Sequence, residues 1–454
     1  MTKHKTLIPN MLNKLINPLK RYGLTAIILC VLVSAASAQD TRTITLQEAI
    51  TLGINTSKTL KYSKAQIDEA VSEYNQAKDK ALPTGSVSAT YDRAQIPENT
   101  LDFGGEAIRL PTSANAYLGI ASINETIFAG NKLRYAREST DMLTKVAKLD
   151  ADKDKDQITY DVISEYYNLY KVLQSIKVVN QNIATIDAQI HQSQRFFDQG
   201  LVTKNDVLRF QLQKANIQLN GLDLDNNRKV INYNLNILLG LPETTVLNID
   251  EITDAAKPVG PLTDYIDTAL VARQELRELY LRNRVAETNV KSIQANLSPT
   301  LSASAAGYYV GIAGDPIPKV GNDITPITVG LTLSWDFSAL WTNKNKVAQA
   351  KIQQDEVAIN QGITSDNVRT EVNQDYQNYQ TAVNKIQLLQ TSIEQAGENN
   401  NILQSKYASN IASATDRADA ETLLYQAQIN LELAKADAGL AYYTLLKATG
   451  KLNK

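Results

Sequence analysis

The sequence holds one cysteine, two histidines, two tryptophans, twelve prolines and twenty glycines in 454 residues. Cys30 and His4 lie in a segment that reads as a removable leader, which leaves His191 as the sole mature histidine. That shortage excludes thiol nucleophiles, histidine clusters and zinc sites, and it implies no cofactor. His191 stands beside Gln192 and Gln194 on a charged helical stretch and reads as a surface residue. A phosphate loop of the form G-x-x-x-x-G-K-S/T is missing, so any energy must come from a partner. The net charge is −2 with no basic face, which speaks against nucleic acid. Clustered carboxylates are missing too, and together these absences point away from an enzyme.

What stands at the N-terminus is a leader. Lys14, Lys20 and Arg21 precede an apolar run from Leu24 to Val33, and Ala36-Ser37-Ala38 supplies an A-x-A cleavage pattern. The run is too short for a transmembrane helix of about 20 residues. Cleavage is expected after Ala38, with translation starting at Met1 or Met11. Cys30 is followed by Val31-Leu32-Val33 rather than closing the apolar run, so lipidation is not expected.

Glycine and proline are few and clustered, which suggests a small number of long elements. A shift of 216 positions sets Leu46 on Leu262, Ile50 on Ile266, Leu60 on Leu276 and Pro83 on Pro299. Both windows read as helices that end at the proline, because a proline pushes the residue before it into extended backbone. After each proline the apolar period changes from 3.6 to 2. Ile327, Val329, Leu331, Leu333, Trp335 and Phe337 alternate with Thr328, Gly330, Thr332, Ser334 and Asp336. Strands are expected over 84–93, 116–128, 300–310 and 327–337, joined in pairs by loops at 94–115 and 311–326. A soluble hairpin accounts for such strands. So does a membrane barrel wall, whose strands run about 9–11 residues, with Tyr91, Tyr117, Tyr308, Tyr309 and Trp335 at its interfaces.

Helix is expected to resume over 131–197 and 343–408. Val162, Leu169, Ile176, Ile183, Ile190 and Phe197 fall seven apart, and a 210-residue shift sets Val372, Tyr379, Ile386, Ile393, Asn400 and Tyr407 on them. A sustained seven-residue repeat keeps one seam facing a partner, as in a coiled coil. Each long helix reaches a tip, RFFDQGLVTKND or YASNIASATD, where Gly200 and Asn410 offer the left-handed conformation that closes helices. Asn205 or Asp206 reads as the cap of a returning helix over 205–239, matched by one over 415–449. The chain thus divides into repeat one (39–240), a linker (241–261) and repeat two (262–454).

These pieces together resemble the TolC-type outer-membrane efflux proteins. The resemblance rests on ITLQEAITLGI, on ALPTGSVSATY and its copy LSPTLSASAAGYY, on ETIFAGNKLRYA, on the tip RFFDQGLVTKNDVL and on LLGLP. Repeat two departs from the pattern, with WDFSALWTNKNK lacking the glycine and Asn410 replacing it at the tip. The resemblance implies a mainly α fold with membrane β: a long coiled-coil-like helical barrel plus a shared 12-stranded transmembrane β-barrel, four strands per chain, from two tandem repeats. It also implies a homotrimer in the outer-membrane lipid of a Gram-negative bacterium, with a long periplasmic extension. As the duct of a tripartite efflux or type I secretion system, it would meet a periplasmic adaptor and an inner-membrane pump. A coiled-coil envelope scaffold without a pore is the alternative.

With no chemistry to place, the candidate functional residues line a conduit. Asp416 and Asp419 sit at i and i+3 on one helix, and matching carboxylates ring the entrance in the family. An acid in the first turn of a helix is also favoured by the helix dipole alone. Repeat one offers Asp206 and Arg209 instead, and family polar links between tips imply that Asp206 and Tyr407 approach each other. The basic partner of some relatives falls on Ala412. Pro83 and Pro299 mark the helix-to-strand junctions.

Overall fold

The computed structural model describes residues 41–95, 97, 100–109, 113–250, 257–258, 260–313 and 323–453. The leader over 1–38 lies outside them. In chain order come β1 (Thr41–Ile44), α1 (Leu46–Thr56), α2 (Lys58–Asp79), β2 (Thr84–Gln95), β3 (Thr100–Phe103), β4 (Glu106–Arg109) and β5 (Ser113–Phe128). The long α3 (Lys132–Asp198), α4 (Lys204–Leu239) and β6 (Val246–Ile249) follow. Then come α5 (Leu262–Ala272), α6 (Gln274–Gln294), β7 (Thr300–Ala313), β8 (Asp323–Ile324), β9 (Ile327–Ser334), α7 (Ala339–Ala408) and α8 (Ala414–Ala448). The chain is mainly helical, with a small share of strand.

The compact units do not follow the repeats. Of the described residues, one gathers those within 41–56, 161–250 and 382–440; the other gathers those within 57–160, 257–381 and 441–453. Each draws on both halves of the sequence, because the long helices pair across them.

In the first unit, Ile44, Ala49, Val162, Tyr166, Leu169, Leu235, Leu239 and Leu247 form a core. Each such aliphatic side chain contributes about 1.5–3 kcal/mol on burial. Part of this core is a strand pair that ties the start of repeat one to the region read as a linker: β1 pairs in parallel with β6, Thr41 opposite Val246 through Ile44 opposite Ile249. The Asn232 and Asn236 amides each donate to the Thr245 carbonyl at 2.7 Å and satisfy its backbone there. The seven-residue seam is buried at Val162 and Leu169 and half-buried at Ile176, Ile183 and Ile190. Farther along, α8 approaches α3 so closely that a Cβ on Gly439 would stand 2.3 Å from the Tyr167 ring.

In the second unit, β2, β5, β7 and β9 make an antiparallel sheet in that order, with β8 also on β7. The register sets Val87 opposite Ala121, Ala121 opposite Gly307 and Gly307 opposite Ile327. That face continues through Val329, Leu331 and Leu333, which are 70–83% exposed. The other face carries Ser86, Ser88, Thr90, Ser122, Asn124, Ser302, Ser304, Thr328 and Thr332. Pro83 and Pro299 each stand one residue before a strand, β2 and β7.

Several boundaries differ from the sequence reading. The strands begin at 84, 113, 300 and 327 and end at 95, 128, 313 and 334. Trp335 and Phe337 lie past β9, and the Trp335 indole donates to the Leu297 carbonyl at 3.1 Å. The helix expected from Asn343 starts at Ala339 because the Asp336 carboxylate accepts from the Ser338 amide at 3.1 Å, opening the turn early. The first helix breaks at Ser57, whose hydroxyl caps Leu60 at 3.2 Å. Its counterpart breaks at Arg273, where the guanidinium reaches the Ala448 carbonyl (3.0 Å) and Glu371 (2.8 Å). Inside the loop at 94–115, β3 and β4 form a small hairpin.

Candidate gate at the helix tips

Both tips close by the same backbone device. At the end of α3 the Leu201 amide donates to the Phe196 carbonyl (2.8 Å) and the Gly200 amide to Phe197 (2.9 Å). At the end of α7 the Ile411 amide donates to Lys406 (2.8 Å) and the Asn410 amide to Tyr407 (3.0 Å). This pairing is the Schellman closure, and it needs a residue in the left-handed region. Gly200 sits there at φ 71° and Asn410 at φ 58°.

The returning helices also start alike. Their caps are Thr203 and Ser413, and Thr203 stands two or three residues ahead of the expected Asn205 or Asp206. The Asp206 carboxylate accepts from the Thr203 amide (2.8 Å) and hydroxyl (2.7 Å). Asp416 accepts from the Ser413 amide (3.1 Å) and hydroxyl (2.7 Å), while its own amide donates to the Ser413 hydroxyl (3.1 Å). These are capping boxes, with an Asp in the third helical position. The signal, a hydroxyl residue three before an acid, was present in the sequence and went unused. Asp416 is exposed, and the bonds from Ser413 hold its carboxyl below the ordinary range. Asp419 and Arg209 are exposed as well.

Tyr407 lies buried behind the second tip. It is 3% exposed and packs with Ile186, Phe210, Ala414 and Ala418. Its ring centroid lies 5.8 Å from Phe210 and 5.9 Å from Phe196. The hydroxyl faces Ser193, and the two buried oxygens meet without good hydrogen-bond geometry. Burial foremost, and then the nearby Asp206 charge, push the phenol pKa up and keep it neutral. Asp206 and Tyr407 are therefore within electrostatic reach in one chain, while the carboxylate is held by Thr203. Ala412 packs beside the same cluster.

Behind the tips lies a buried polar network that pattern reading passed over. The Arg417 guanidinium meets the Glu421 carboxylate at 3.0 Å, and both side chains are almost wholly buried. Arg417 also donates to the Asn400 side-chain oxygen. The Gln189 amide donates to Glu421 at 3.1 Å. Two signals existed in the sequence: Asn400 as the one polar residue in the seam, and opposite charges at 417 and 421. His191 is exposed beside this group and takes no part.

Two tips with shared closures, at the ends of helices of 67 and 70 residues, accompany a sheet of β2, β5, β7 and β9, with the short β8 on β7, that has an apolar face. The model of the outer membrane efflux protein family matches residues 50–241 and 265–451. The chain belongs to that family. Family members carry out efflux at the outer membrane, and this chain is an outer-membrane efflux channel of the Gram-negative envelope. Among relatives, the outer membrane protein TolC of Escherichia coli (strain K12) is 22% identical over 412 residues, covering 87% of this chain and 80% of TolC. The outer membrane efflux protein BepC of Brucella suis biovar 1 is 22% identical over 345 residues, covering 73% of this chain and 71% of BepC. The outer membrane protein VceC of Vibrio cholerae shares the fold, with a TM-score of 0.74 at 16% identity over 89% of this chain and 96% of VceC. This is a family of ducts rather than of enzymes.

Proposed function

We propose that the chain is the outer-membrane duct of a tripartite efflux or type I secretion system, built as a homotrimer with one shared 12-stranded barrel. Two tandem repeats each supply a strand pair, a long helix, a tip and a returning helix. The observation that carries this reading is the sheet. Among the described residues its outer strands β2 and β9 have free edges, and β9 shows Ile327 and Val329 at 82% and 83% exposure. In lipid every backbone donor and acceptor needs a partner, so such a sheet is usable only when closed by further copies. Three copies of four strands give the family's barrel. The hydroxyl-bearing face would line the lumen and the apolar face would meet lipid.

At the tips, Asp416 and Asp419 from three chains form an acidic ring at the periplasmic mouth, where carboxylates favour cations. Asp206 braces the first tip. A periplasmic adaptor docks at the mouth, an inner-membrane pump selects and drives the cargo, and the channel itself catalyses nothing. The test is extraction and conductance together. Detergent extraction from outer membranes should give a heat-resistant trimer that forms cation-selective channels in planar bilayers. A soluble or monomeric product without conductance would favour the envelope scaffold.

A further inference from the structure

We infer that the buried Arg417–Glu421 pair fixes the rotation of α8 about its own axis and so aims Asp416 and Asp419; this rests on the acidic-gate reading above. A helix turns about 100° per residue. On that wheel Glu421 lies about 40° from Arg417, so the pair occupies one narrow strip. Asp416 and Asp419 lie about 100° and 160° from Arg417, away from that strip. The geometry agrees: Arg417 and Glu421 are buried while Asp416 and Asp419 are exposed.

The strip is anchored at two separate places. Glu421 takes a hydrogen bond from Gln189 on α3, and Arg417 gives one to Asn400 on α7. Turning α8 would carry the pair away from Gln189 and Asn400 and leave its buried charges short of hydrogen bonds, which low-dielectric surroundings make costly. Small residues would not do the same. Ala414 and Ala418 on the adjoining face pack against Tyr407 and Phe210, and alanine faces slide and rotate with little to hold them. Arg417, Glu421, Asn400 and Gln189 are thus positioning residues, acting on permeation through the two aspartates.

The test is selectivity, which a merely structural role would not move. The full-length channel is compared in planar bilayers as R417M/E421L, which removes both charges without leaving one buried alone, and as D416N/D419N. Reversal potential in a KCl gradient and block by Mg²⁺ are read. The expected result is an R417M/E421L channel that keeps its heat-resistant oligomer yet loses Mg²⁺ block and shifts its reversal potential toward that of D416N/D419N. Arg417→Lys, with Glu421 intact, should restore block. Unchanged block and reversal potential in an assembled R417M/E421L channel would overturn the inference. If that variant does not assemble, Asn400→Ala removes one anchor and leaves the pair, and the same two readouts decide. Should D416N/D419N itself behave like the unaltered channel, it is the acidic-gate reading that fails, and the inference falls with it.

Discussion

Asn410 occupies, at φ 58°, the left-handed position that Gly200 fills at φ 71° in the other tip. The two residues close their helices by the same pair of hydrogen bonds, and asparagine does so with a side chain that must tolerate the conformation. Asn410→Gly should therefore be neutral or slightly stabilising. Asn410→Ala and Gly200→Ala should each loosen their tip by about 1 kcal/mol, the ordinary cost of a left-handed alanine. Hydrogen exchange of the amides at 411 and 201 reports each tip separately. A tip that exchanges no faster with alanine in place would contradict the closure described.

Tyr407 divides shape from hydrogen bonding. Its ring fills a buried site, so Tyr407→Ala should cost about 3–5 kcal/mol, in the range for removing a buried aromatic. Its hydroxyl has no well-formed partner, so Tyr407→Phe should leave tip stability and closed-channel conductance close to those of the parent. If the phenylalanine variant opens the channel, the hydroxyl is a latch and the packing account is wrong.

Acid should weaken the second tip through Asp416. Its carboxyl pKa lies below the ordinary value of 3.8 because Ser413 donates to the charged form. A lowered folded-state pKa means the stabilisation is complete above the unfolded value and is lost as pH falls through the lowered one. Exchange at 411–416 should therefore accelerate only below about pH 4. Asp416→Asn should remove that pH step while leaving the first tip unchanged.

The two faces of β9 should respond in opposite ways to one charge. Val329→Arg places a cation on the proposed lipid side, where it costs about 2–4 kcal/mol near mid-membrane. Loss of the heat-resistant oligomer is expected. Thr328→Arg, one residue away on the hydroxyl-bearing face, should assemble and lower single-channel conductance to cations. Equal tolerance of both would remove the case for a lipid-facing side.

Much of this architecture was legible because it is periodic. Ile327 to Leu333 alternate in sequence and lie on one exposed face in the fold, and Val162 and Leu169 mark the seam that the structure buries. Gly200 and Asn410 were readable because few residues tolerate positive φ. What escaped was local and unperiodic. The capping boxes at Thr203 and Ser413 use one short-range bond set each, and a neighbouring Asn or Asp advertises itself as a cap equally well. The Arg417–Glu421 pair reads as an ordinary surface i,i+4 pair, and only the packing of α3 and α7 over it reveals burial. Strand β6 is four residues in a Pro-flanked stretch, far too short for a pattern to assert itself.

That small strand has a consequence for how the protein is made. Thr41–Ile44 pairs with Val246–Ile249, some two hundred residues later in the chain. During synthesis and export, the first strand therefore waits without its neighbour until more than half the polypeptide has crossed the inner membrane. Closing so long a loop is slow relative to helix formation. The expected order of assembly follows: helices form early, and the Thr41–Ile44 segment is fastened late, once its distant partner has arrived.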